Sequence, residues 1–363
     1  SPDNLKLRTG VIMRENMSTS VSNKTILISL SLATMAFATG LLLGGFYLNK
    51  PSSINVLGPP QAASEELKSH IESVESTSEI EVPRHLKDWK ELREKVSDSK
   101  GISIEGLSSL LDVDIARDRI DSIPIFRIFP REVKREGLFV HIHGGAFTFE
   151  GGDMAAVEGA IIASQTHMDV ISIDYRLSPE FPFPSGLEDI FTVYRAIRES
   201  SPMRKIAVGG SSAGGNLTLA LTHYLKKEGM DLPAVLYLGT PRTDLSNKSD
   251  SLDILEGVDP RIPSFRVGII EATERLYVAT SSREDPLISP IYGDFSGFPP
   301  TYLVTGTRDI LLSDTIRVHR KLRQSGVEAS LNVYEGLFHA AYVTAGFSPE
   351  FYQVYGELSE FLG

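Results

Sequence analysis

Alternating apolar and polar stretches divide the chain from about residue 113 onward into strands and helices. Short runs rich in Val, Ile, Leu and aromatic residues predict strands at 113–120, 123–129, 138–143, 170–174, 205–208, 234–238, 301–305 and 328–334. Apolar residues at three- and four-residue spacing predict helices at 155–166, 187–198, 216–227, 264–280, 314–324 and 349–362. An early hairpin followed by strand–helix alternation predicts an α/β fold, with a mostly parallel sheet covered by helices on both faces.

A long apolar run near the N-terminus has the length of a membrane span. The run from Ile26 to Leu48 carries no charge, and its about 23 residues suffice to cross a hydrocarbon core of about 30 Å. An uncleaved anchor is favoured, because the run continues apolar beyond Ala36-Phe37-Ala38. That A-x-A pattern also fits a cleaved secretory signal, and a buried soluble helix is the third interpretation. The expected location is therefore membrane-anchored or exported.

Composition divides the rest of the chain. Residues 1–16 resemble a tag before a start at Met17, and residues 17–49 hold the signal or anchor. Residues 50–63 are rich in Pro, Ser and Gly and are predicted to be a linker. Helical spacing over 65–74, 86–96 and 103–111 predicts a helical region spanning residues 64–112. Residues 113–363 form the α/β domain, in which the long connection 246–283 is expected to lie over the top of the sheet.

Charge and composition exclude several classes of function. The chain has 36 Lys and Arg against 47 Asp and Glu, a net charge of −11, which argues against a nucleic-acid partner. It contains no Cys, which excludes disulfides, thiolate zinc sites and a Cys nucleophile. Neither H-E-x-x-H, a P-loop nor G-x-G-x-x-G occurs. No metal or organic cofactor is predicted, and the chemistry is left to Ser, His, Asp and Glu.

Gly210-Ser211-Ser212-Ala213-Gly214 is a G-x-S-x-G motif between a predicted strand and a predicted helix. Such a sharp turn raises the central serine above the sheet edge, which makes Ser212 the candidate nucleophile. The start of the following helix, at Ala213, directs free N–H groups at charge that develops on a substrate. The alternative is an ordinary Gly-rich turn.

A second turn, His143-Gly144-Gly145-Ala146-Phe147, directly follows the strand predicted at 138–143. Adjacent glycines allow main-chain N–H groups to converge on one point, as an oxyanion hole requires. Gly144 and Gly145 are the expected donors, together with Ala213. A plain turn at the strand end is the alternative.

A serine nucleophile needs a base and an acid, which follow it along the chain in this type of fold. His339 lies directly after the strand predicted at 328–334, where a general base must stand, whereas His319 lies within a predicted helix and is expected at the surface. Asp309 follows the strand predicted at 301–305 and is the expected acid. Its rival, Asp314, is expected to cap the next helix.

Five ordered motifs give the chain a resemblance to the hormone-sensitive-lipase-like branch of the α/β-hydrolases, the bacterial family IV esterases. His143 to Phe147 is similar to HGGGF, Asp174 to Glu180 to DYRLAPE, Gly210 to Asn216 to GDSAGGN, Pro241 to Leu245 to SPWTDL, and Asp309 to Asp314 to D-x-L-x-x-D. Ala146, Ser211 and Ala340 depart from the family pattern. The resemblance implies an α/β-hydrolase fold with a helical cap over the acyl pocket, which residues 65–111 and 246–283 can supply. Asp174, Arg176 and Glu180 are expected to form a buried ion-pair support rather than to bind substrate.

The sequence therefore predicts a carboxylic ester hydrolase that acts on short to medium acyl esters. Ser212, His339 and Asp309 form its triad, and a small-molecule ester is its expected partner. Amide or formamide hydrolysis by the same triad, a non-catalytic ligand-binding protein of this fold and a purely structural membrane-tethered protein are the alternatives. A homodimer is left open.

Overall fold

A single mixed sheet forms the centre of the computed structural model, which describes residues 57–132 and 135–363. Its strands are β1 Val113–Ile120, β2 Ile123–Pro130, β3 Arg135–Ile142, β4 Met168–Ile173, β5 Ile206–Ser211, β6 Val235–Gly239, β7 Thr301–Gly306 and β8 Ala329–Tyr334. The order across the sheet is β1-β2-β4-β3-β5-β6-β7-β8. β1 and β2 form an antiparallel hairpin, β2 is antiparallel to β4, and the remaining pairs are parallel. The predicted fold class is confirmed.

Helices cover both faces of this sheet. They are α1 Glu65–Ser73, α2 Leu86–Ser99, α3 Ile104–Leu111, α4 Val157–Thr166, α5 Ser185–Ser200, α6 Ala213–Lys227, α7 Ser251–Ile254, α8 Gly268–Val278, α9 Leu312–Gln324, α10 Ala341–Thr344 and α11 Pro349–Phe361. Successive side chains of a strand point to opposite faces. In β3, Val140 therefore packs in the cluster shared with α5, α6 and α9, while the neighbouring Phe139 packs in the cluster shared with α4 and α11. Burial on both faces explains why the central strands are continuous apolar runs.

The helical region predicted at 64–112 divides between two structural roles. Leu67 of α1 and Leu107 of α3 belong to the same cluster as α4 and α11, so these helices extend the core of the α/β domain. Trp89 of α2 instead packs with Phe265 and Ile269 of the 246–283 insertion. Trp89 is the buried side chain of α2, and α2 and the insertion, which share this cluster, are together called the cap.

The linker predicted at 50–63 ends in residues that contact the domain. The Arg308 guanidinium donates to the carbonyl of Leu57 over 3.0 Å and also to that of Gly58. Ala63 is buried, and the Ser64 hydroxyl donates to Glu350 over 2.6 Å. The chain is therefore fixed to the domain from residue 57 onward, several residues before the predicted end of the linker.

These contacts predict the outcome of two N-terminal truncations. We expect deletion of residues 1–56 to preserve activity and deletion of residues 1–111 to yield insoluble protein. The longer deletion uncovers the partners of Leu67, Ile71, Leu107 and Leu111. At roughly 1.5–3 kcal/mol for each buried side chain, the loss is about 6–12 kcal/mol, comparable to a whole domain's stability of about 5–15 kcal/mol. Solubility and specific activity of both truncations check this, and a soluble, active 112–363 fragment would contradict it.

No helix within residues 57–132 and 135–363 is both long and apolar enough to cross a bilayer. The apolar run from Ile26 to Leu48 lies outside these residues, as does the tag-like segment 1–16. The anchor, the cleaved signal and the membrane or exported location therefore stay predictions, and so does the homodimer.

Candidate active site

Ser212 lies in the tight turn between β5 and α6. Its backbone has φ +59° and ψ −117°, a sparsely populated conformation that costs a non-glycine residue about 1–3 kcal/mol. The turn is held by the Ser212 N–H, which donates to the Gly239 carbonyl over 2.8 Å. A Cβ atom on Gly214 would lie 2.0 Å from the Ile142 carbonyl oxygen, so the close approach of β3 requires glycine there. The predicted elbow therefore has a strained serine on a tightly packed turn.

The structure brings Ser212, His339 and Asp309 together at the carboxyl ends of the parallel strands. The Nε2 atom of His339, in the loop after β8, lies 2.9 Å from the Ser212 hydroxyl oxygen. Its Nδ1 atom lies 3.3 Å from Oδ1 of Asp309, which follows β7. The imidazole can thus accept the serine proton on one side while a carboxylate faces its other nitrogen.

Three further donors surround the Asp309 carboxylate. The Thr305 hydroxyl donates over 2.6 Å, the Thr240 hydroxyl also donates, and the Leu311 N–H donates over 2.9 Å. Burial alone would raise the pKa of Asp309. The hydrogen bond and charge of His339, together with the two threonine hydroxyls, outweigh burial and hold this pKa below its ordinary value. Asp309 therefore remains a carboxylate beside the imidazole.

Thr240 is a site residue that the sequence did not single out. It follows β6 with φ +37°, and its hydroxyl oxygen lies 3.0 Å from Nδ1 of His339 while its proton goes to Asp309. It directly precedes Pro241 in the segment similar to SPWTDL, and that position was the one available signal.

Asp259 is a second carboxylate next to the base, and it comes from the 246–283 insertion. It is 1% exposed and accepts hydrogen bonds from the backbone N–H groups of His339 over 2.9 Å and Ile310 over 3.2 Å. Burial raises its pKa to about 6, an effect that His339 opposes and Asp309 reinforces. Its partners are 51 and 80 residues away along the chain, so no local pattern could have predicted it.

The predicted oxyanion loop lies against the nucleophile turn. A Cβ atom on Gly144 would lie 3.6 Å from Cβ of Ser212. Within residues 57–132 and 135–363, the N–H groups of Gly144 and Gly145 have no backbone or side-chain acceptor, and Ala213 begins α6, where N–H groups have no partner inside the helix. Unpaired N–H groups in this loop and at the start of α6 are donors of the kind that a tetrahedral oxyanion requires.

A tyrosine supports this loop from behind. The Tyr175 hydroxyl donates to the carbonyl of His143 over 2.9 Å, and the two rings stack at 4.2 Å. Burial and the neighbouring His141 lower the pKa of His143 to about 3, so its ring is neutral. These contacts fix the carbonyl side of the turn.

The expected ion-pair support is found for Arg176 and Glu180, each with a partner outside this motif, whereas Asp174 accepts from a backbone N–H group instead. Asp174 accepts a hydrogen bond from the Gly152 N–H over 3.0 Å, whereas Arg176 pairs with Asp189 and Glu180 pairs with Arg93 of α2. Arg176 is also half-exposed. The three side chains extend in different directions from one loop and brace separate neighbours.

Asp314, predicted to cap a helix, lies inside α9 instead. Leu311 is the residue before that helix, and the buried Asp314 carboxylate accepts from Arg242 over 3.2 Å and from the Thr243 N–H over 2.7 Å. Asp314 therefore pairs with Arg242, a residue distant in sequence, and does not cap its own helix. His319, also in α9, is half-buried and does not contact Ser212.

A cavity of about 1440 Å³ opens over Ser212 and is lined by both parts of the cap. Its lining includes the apolar side chains of Phe265, Ile269 and Ile270, of which Phe265 lies beside the His339 ring, and it also includes charged side chains of both signs. Within residues 57–132 and 135–363, no His, Asp and Glu side chains form a group of three able to hold a metal ion.

The oxyanion loop allows a direct test. Gly145 has φ +88°, and a Cβ atom there would lie 2.4 Å from the Phe149 carbonyl oxygen, so we expect Gly145→Ala to shift the loop. Loss of aligned donors should lower kcat by about 10²- to 10³-fold. Gly356→Ala, on an exposed part of α11 with free space around it, is the matched control and should retain wild-type kcat. Equal kcat values for the two variants would contradict the predicted role of Gly145 as an oxyanion donor.

Comparisons with known proteins show which proteins this chain is similar to. A family model described as an alpha/beta hydrolase fold matches residues 139–343. An esterase of Acinetobacter venetianus is 33% identical over 226 residues, which cover 62% of this chain and 74% of that protein. A carboxylesterase of Mycobacterium tuberculosis is 30% identical over 241 residues, 62% of this chain and 73% of its own length. One crystallised esterase is 40% identical with a TM-score of 0.80 over 84% of this chain and 95% of its own. A crystallised esterase of the bacterial hormone-sensitive lipase family is 28% identical, with a TM-score of 0.73 over 83% and 98% of the two chains.

Proposed function

The chain belongs to the α/β-hydrolase fold family, among its bacterial hormone-sensitive-lipase-like carboxylesterases, and we propose that it hydrolyses short- to medium-chain acyl esters with Ser212, His339 and Asp309 as its triad. The observation that carries this proposal is the 2.9 Å contact between the Ser212 hydroxyl and Nε2 of His339.

The first half of the reaction forms an acyl-enzyme. Oγ of Ser212 attacks the ester carbonyl carbon while Nε2 of His339 takes the hydroxyl proton, and Asp309 stabilises the resulting imidazolium. The N–H groups of Gly144, Gly145 and Ala213 bind the oxyanion. When the tetrahedral intermediate collapses, the C–O bond to the alcohol breaks, and the leaving alkoxide takes the proton from Nε2.

The second half of the reaction repeats these roles with water. His339 removes a proton from the water that attacks the acyl carbon, and the same three N–H groups hold the second oxyanion. Collapse of that intermediate breaks the bond to Oγ of Ser212, which recovers its proton from His339. The carboxylic acid leaves and the free enzyme is restored.

The walls of the cavity support short and medium acyl chains. The apolar side chains of Phe265, Ile269 and Ile270 line the cavity together with Arg242 and Glu274, which form an almost fully buried ion pair at 2.6 Å. The lining also includes charged side chains such as Lys90, Arg93 and Glu94, and a long alkyl chain that lay against them would gain little from burial. Volume alone would admit longer chains, so the charges set the limit.

Initial rates on p-nitrophenyl esters from acetate to palmitate, with p-nitroacetanilide as an amide control, test the proposal. We expect kcat/KM to be highest between acetate and hexanoate and to fall by at least about tenfold at palmitate, with negligible anilide cleavage. A preference for the anilide would favour an amidase, and a maximum at palmitate would contradict the role of the charged walls.

A further inference from the structure

The Asp259 carboxylate is the point at which the cap meets both catalytic loops. Its Oδ2 atom accepts from the N–H of His339 at 2.9 Å and from the N–H of Ile310 at 3.2 Å. Its Oδ1 atom accepts from the N–H groups of Arg261 at 3.0 Å and Ile262 at 2.9 Å, within its own turn. One buried side chain thus connects the cap, the loop of the acid and the loop of the base.

We propose that Asp259 is a positioning residue that holds His339 and Asp309 at their working separation and makes this separation depend on the cap. The inference rests on the proposed triad. Asp259 touches neither substrate nor reacting atoms, and it acts through the backbones of the two loops.

The Oδ2 atom of Asp259 is shared by both catalytic loops, and we call this pair of hydrogen bonds the clamp. Ile310 directly follows Asp309, so two N–H groups that converge on one oxygen fix the distance between the acid loop and the base itself. The next backbone link between these loops, from the Arg308 N–H to the Leu337 carbonyl at 3.1 Å, is two residues before His339. Without Asp259 the His339 backbone would lose its hydrogen bond at this position, and the ring could shift despite its contacts with Asp309 and Thr240. A misplacement of about 1 Å is enough to cost about 10²-fold in rate.

The cap is attached to the same carboxylate. The turn that carries Asp259 continues into Ile262 and Phe265, which are buried with Trp89 of α2. The Phe265 ring meets the His339 ring nearly perpendicularly, with 6.5 Å between centroids. A cap displaced from the domain would therefore remove both the acceptor at the His339 backbone and an aromatic neighbour of its ring, so the base is correctly placed only beneath a seated cap.

Asp259→Asn is the central variant, because it keeps the side-chain shape and replaces one acceptor oxygen by an NH₂ group facing N–H donors. We expect kcat on p-nitrophenyl butyrate to fall by about 10- to 100-fold with KM within about twofold. Rates are expressed per active site titrated with a fluorophosphonate, so that unfolded molecules are not counted. Asp253→Asn is the matched control: it lies in the same insertion, is 61% exposed and pairs only with Arg266 among the described residues.

A spectroscopic readout separates positioning from a merely structural role. The downfield proton resonance of the His339 Nδ1–H should move in Asp259→Asn and stay in place in Asp253→Asn. An unchanged resonance together with wild-type kcat per titrated site would overturn the inference. Failure of this inference is distinguishable from failure of the proposed triad. If the triad were wrong, His339→Ala would retain turnover, whatever the effect of Asp259→Asn.

Wild-type protein provides the test if Asp259→Asn does not fold. Amide hydrogen exchange should show the His339 and Ile310 N–H groups protected together with those of Arg261 and Ile262, because all four donate to one carboxylate. Fast exchange at His339 and Ile310, with protection retained at Arg261 and Ile262, would show that no clamp joins the loops to the cap.

Discussion

Replacement of Ser212 by Ala is expected to lower kcat for p-nitrophenyl butyrate by about 10⁴- to 10⁶-fold, because it removes the hydroxyl that we propose forms the acyl-enzyme. The substitution removes one hydroxyl and its 2.9 Å contact with His339, and a single such hydrogen bond contributes about 1 kcal/mol. Alanine meets the same backbone strain at φ +59° as serine does. The folded state should therefore survive, with a melting temperature within a few degrees of wild type.

Turnover and thermal unfolding of Ser212→Ala should be measured on one preparation. Ser200→Ala is the matched control, since Ser200 is an exposed serine at the end of α5 whose hydroxyl, among the described residues, bonds only its own helix. Fluorophosphonate labelling should disappear in Ser212→Ala and persist in Ser200→Ala. A folded Ser212→Ala protein that still hydrolyses esters at more than about one hundredth of the wild-type rate would exclude Ser212 as the nucleophile.

The sequence could predict the parts of the site that follow strands. In a parallel sheet the carboxyl ends of the strands lie at one edge, so residues placed after separate strands meet there. Ser212 after β5, Asp309 after β7 and His339 after β8 are separated by up to 127 residues in sequence, yet they lie within hydrogen-bond reach of one another. Periodicity alone was enough to locate the strands and hence this edge.

Contacts between distant segments could not be predicted in the same way. Asp259 lies in the part of the insertion that precedes the helix predicted at 264–280, where no strand or helix is predicted, and its role depends on how the cap turns back onto the domain. Asp314 has the spacing of a helix cap, yet the partner that decides its role is Arg242, 72 residues away. Sequence spacing predicts hydrogen bonds within a helix or turn. The partners of a buried charged side chain are instead set by the residues that the tertiary fold places around it.

The departure from the family pattern at Ser211 has a local explanation. Its hydroxyl donates to the buried Glu158 carboxylate over 2.5 Å and lies 2.8 Å from the Tyr342 hydroxyl. A carboxylate is thus already present behind the nucleophile turn, supplied by α4. An aspartate at position 211 would place a second negative charge against it, and serine avoids this repulsion.

Asp309→Asn should lower kcat by about 10⁴-fold while leaving KM within a few-fold of wild type, since the carboxylate faces the imidazole and not the substrate. The amide keeps the shape but loses the charge that stabilises the imidazolium. It also cannot accept at its NH₂ group from Thr240 and Thr305, which both donate to the carboxylate in the wild type. Both hydroxyls donate to the same oxygen, Oδ2, so an NH₂ group at that position forces both to reorient. An NH₂ group at the Oδ1 position would instead face the Leu311 N–H and Nδ1 of His339, and the His339 ring would lose its preferred tautomer.

Asp314→Asn is the informative comparison, because Asp314 is the rival acid and is equally buried. Breaking its pair with Arg242 should lower stability by about 3–5 kcal/mol, yet the folded fraction, counted by fluorophosphonate titration, should hydrolyse p-nitrophenyl butyrate at close to the wild-type rate per site. The two variants are therefore expected to differ in what they change: Asp309→Asn lowers kcat, and Asp314→Asn lowers the melting temperature. Wild-type turnover by Asp309→Asn combined with a large loss per titrated site in Asp314→Asn would transfer the acid role to Asp314.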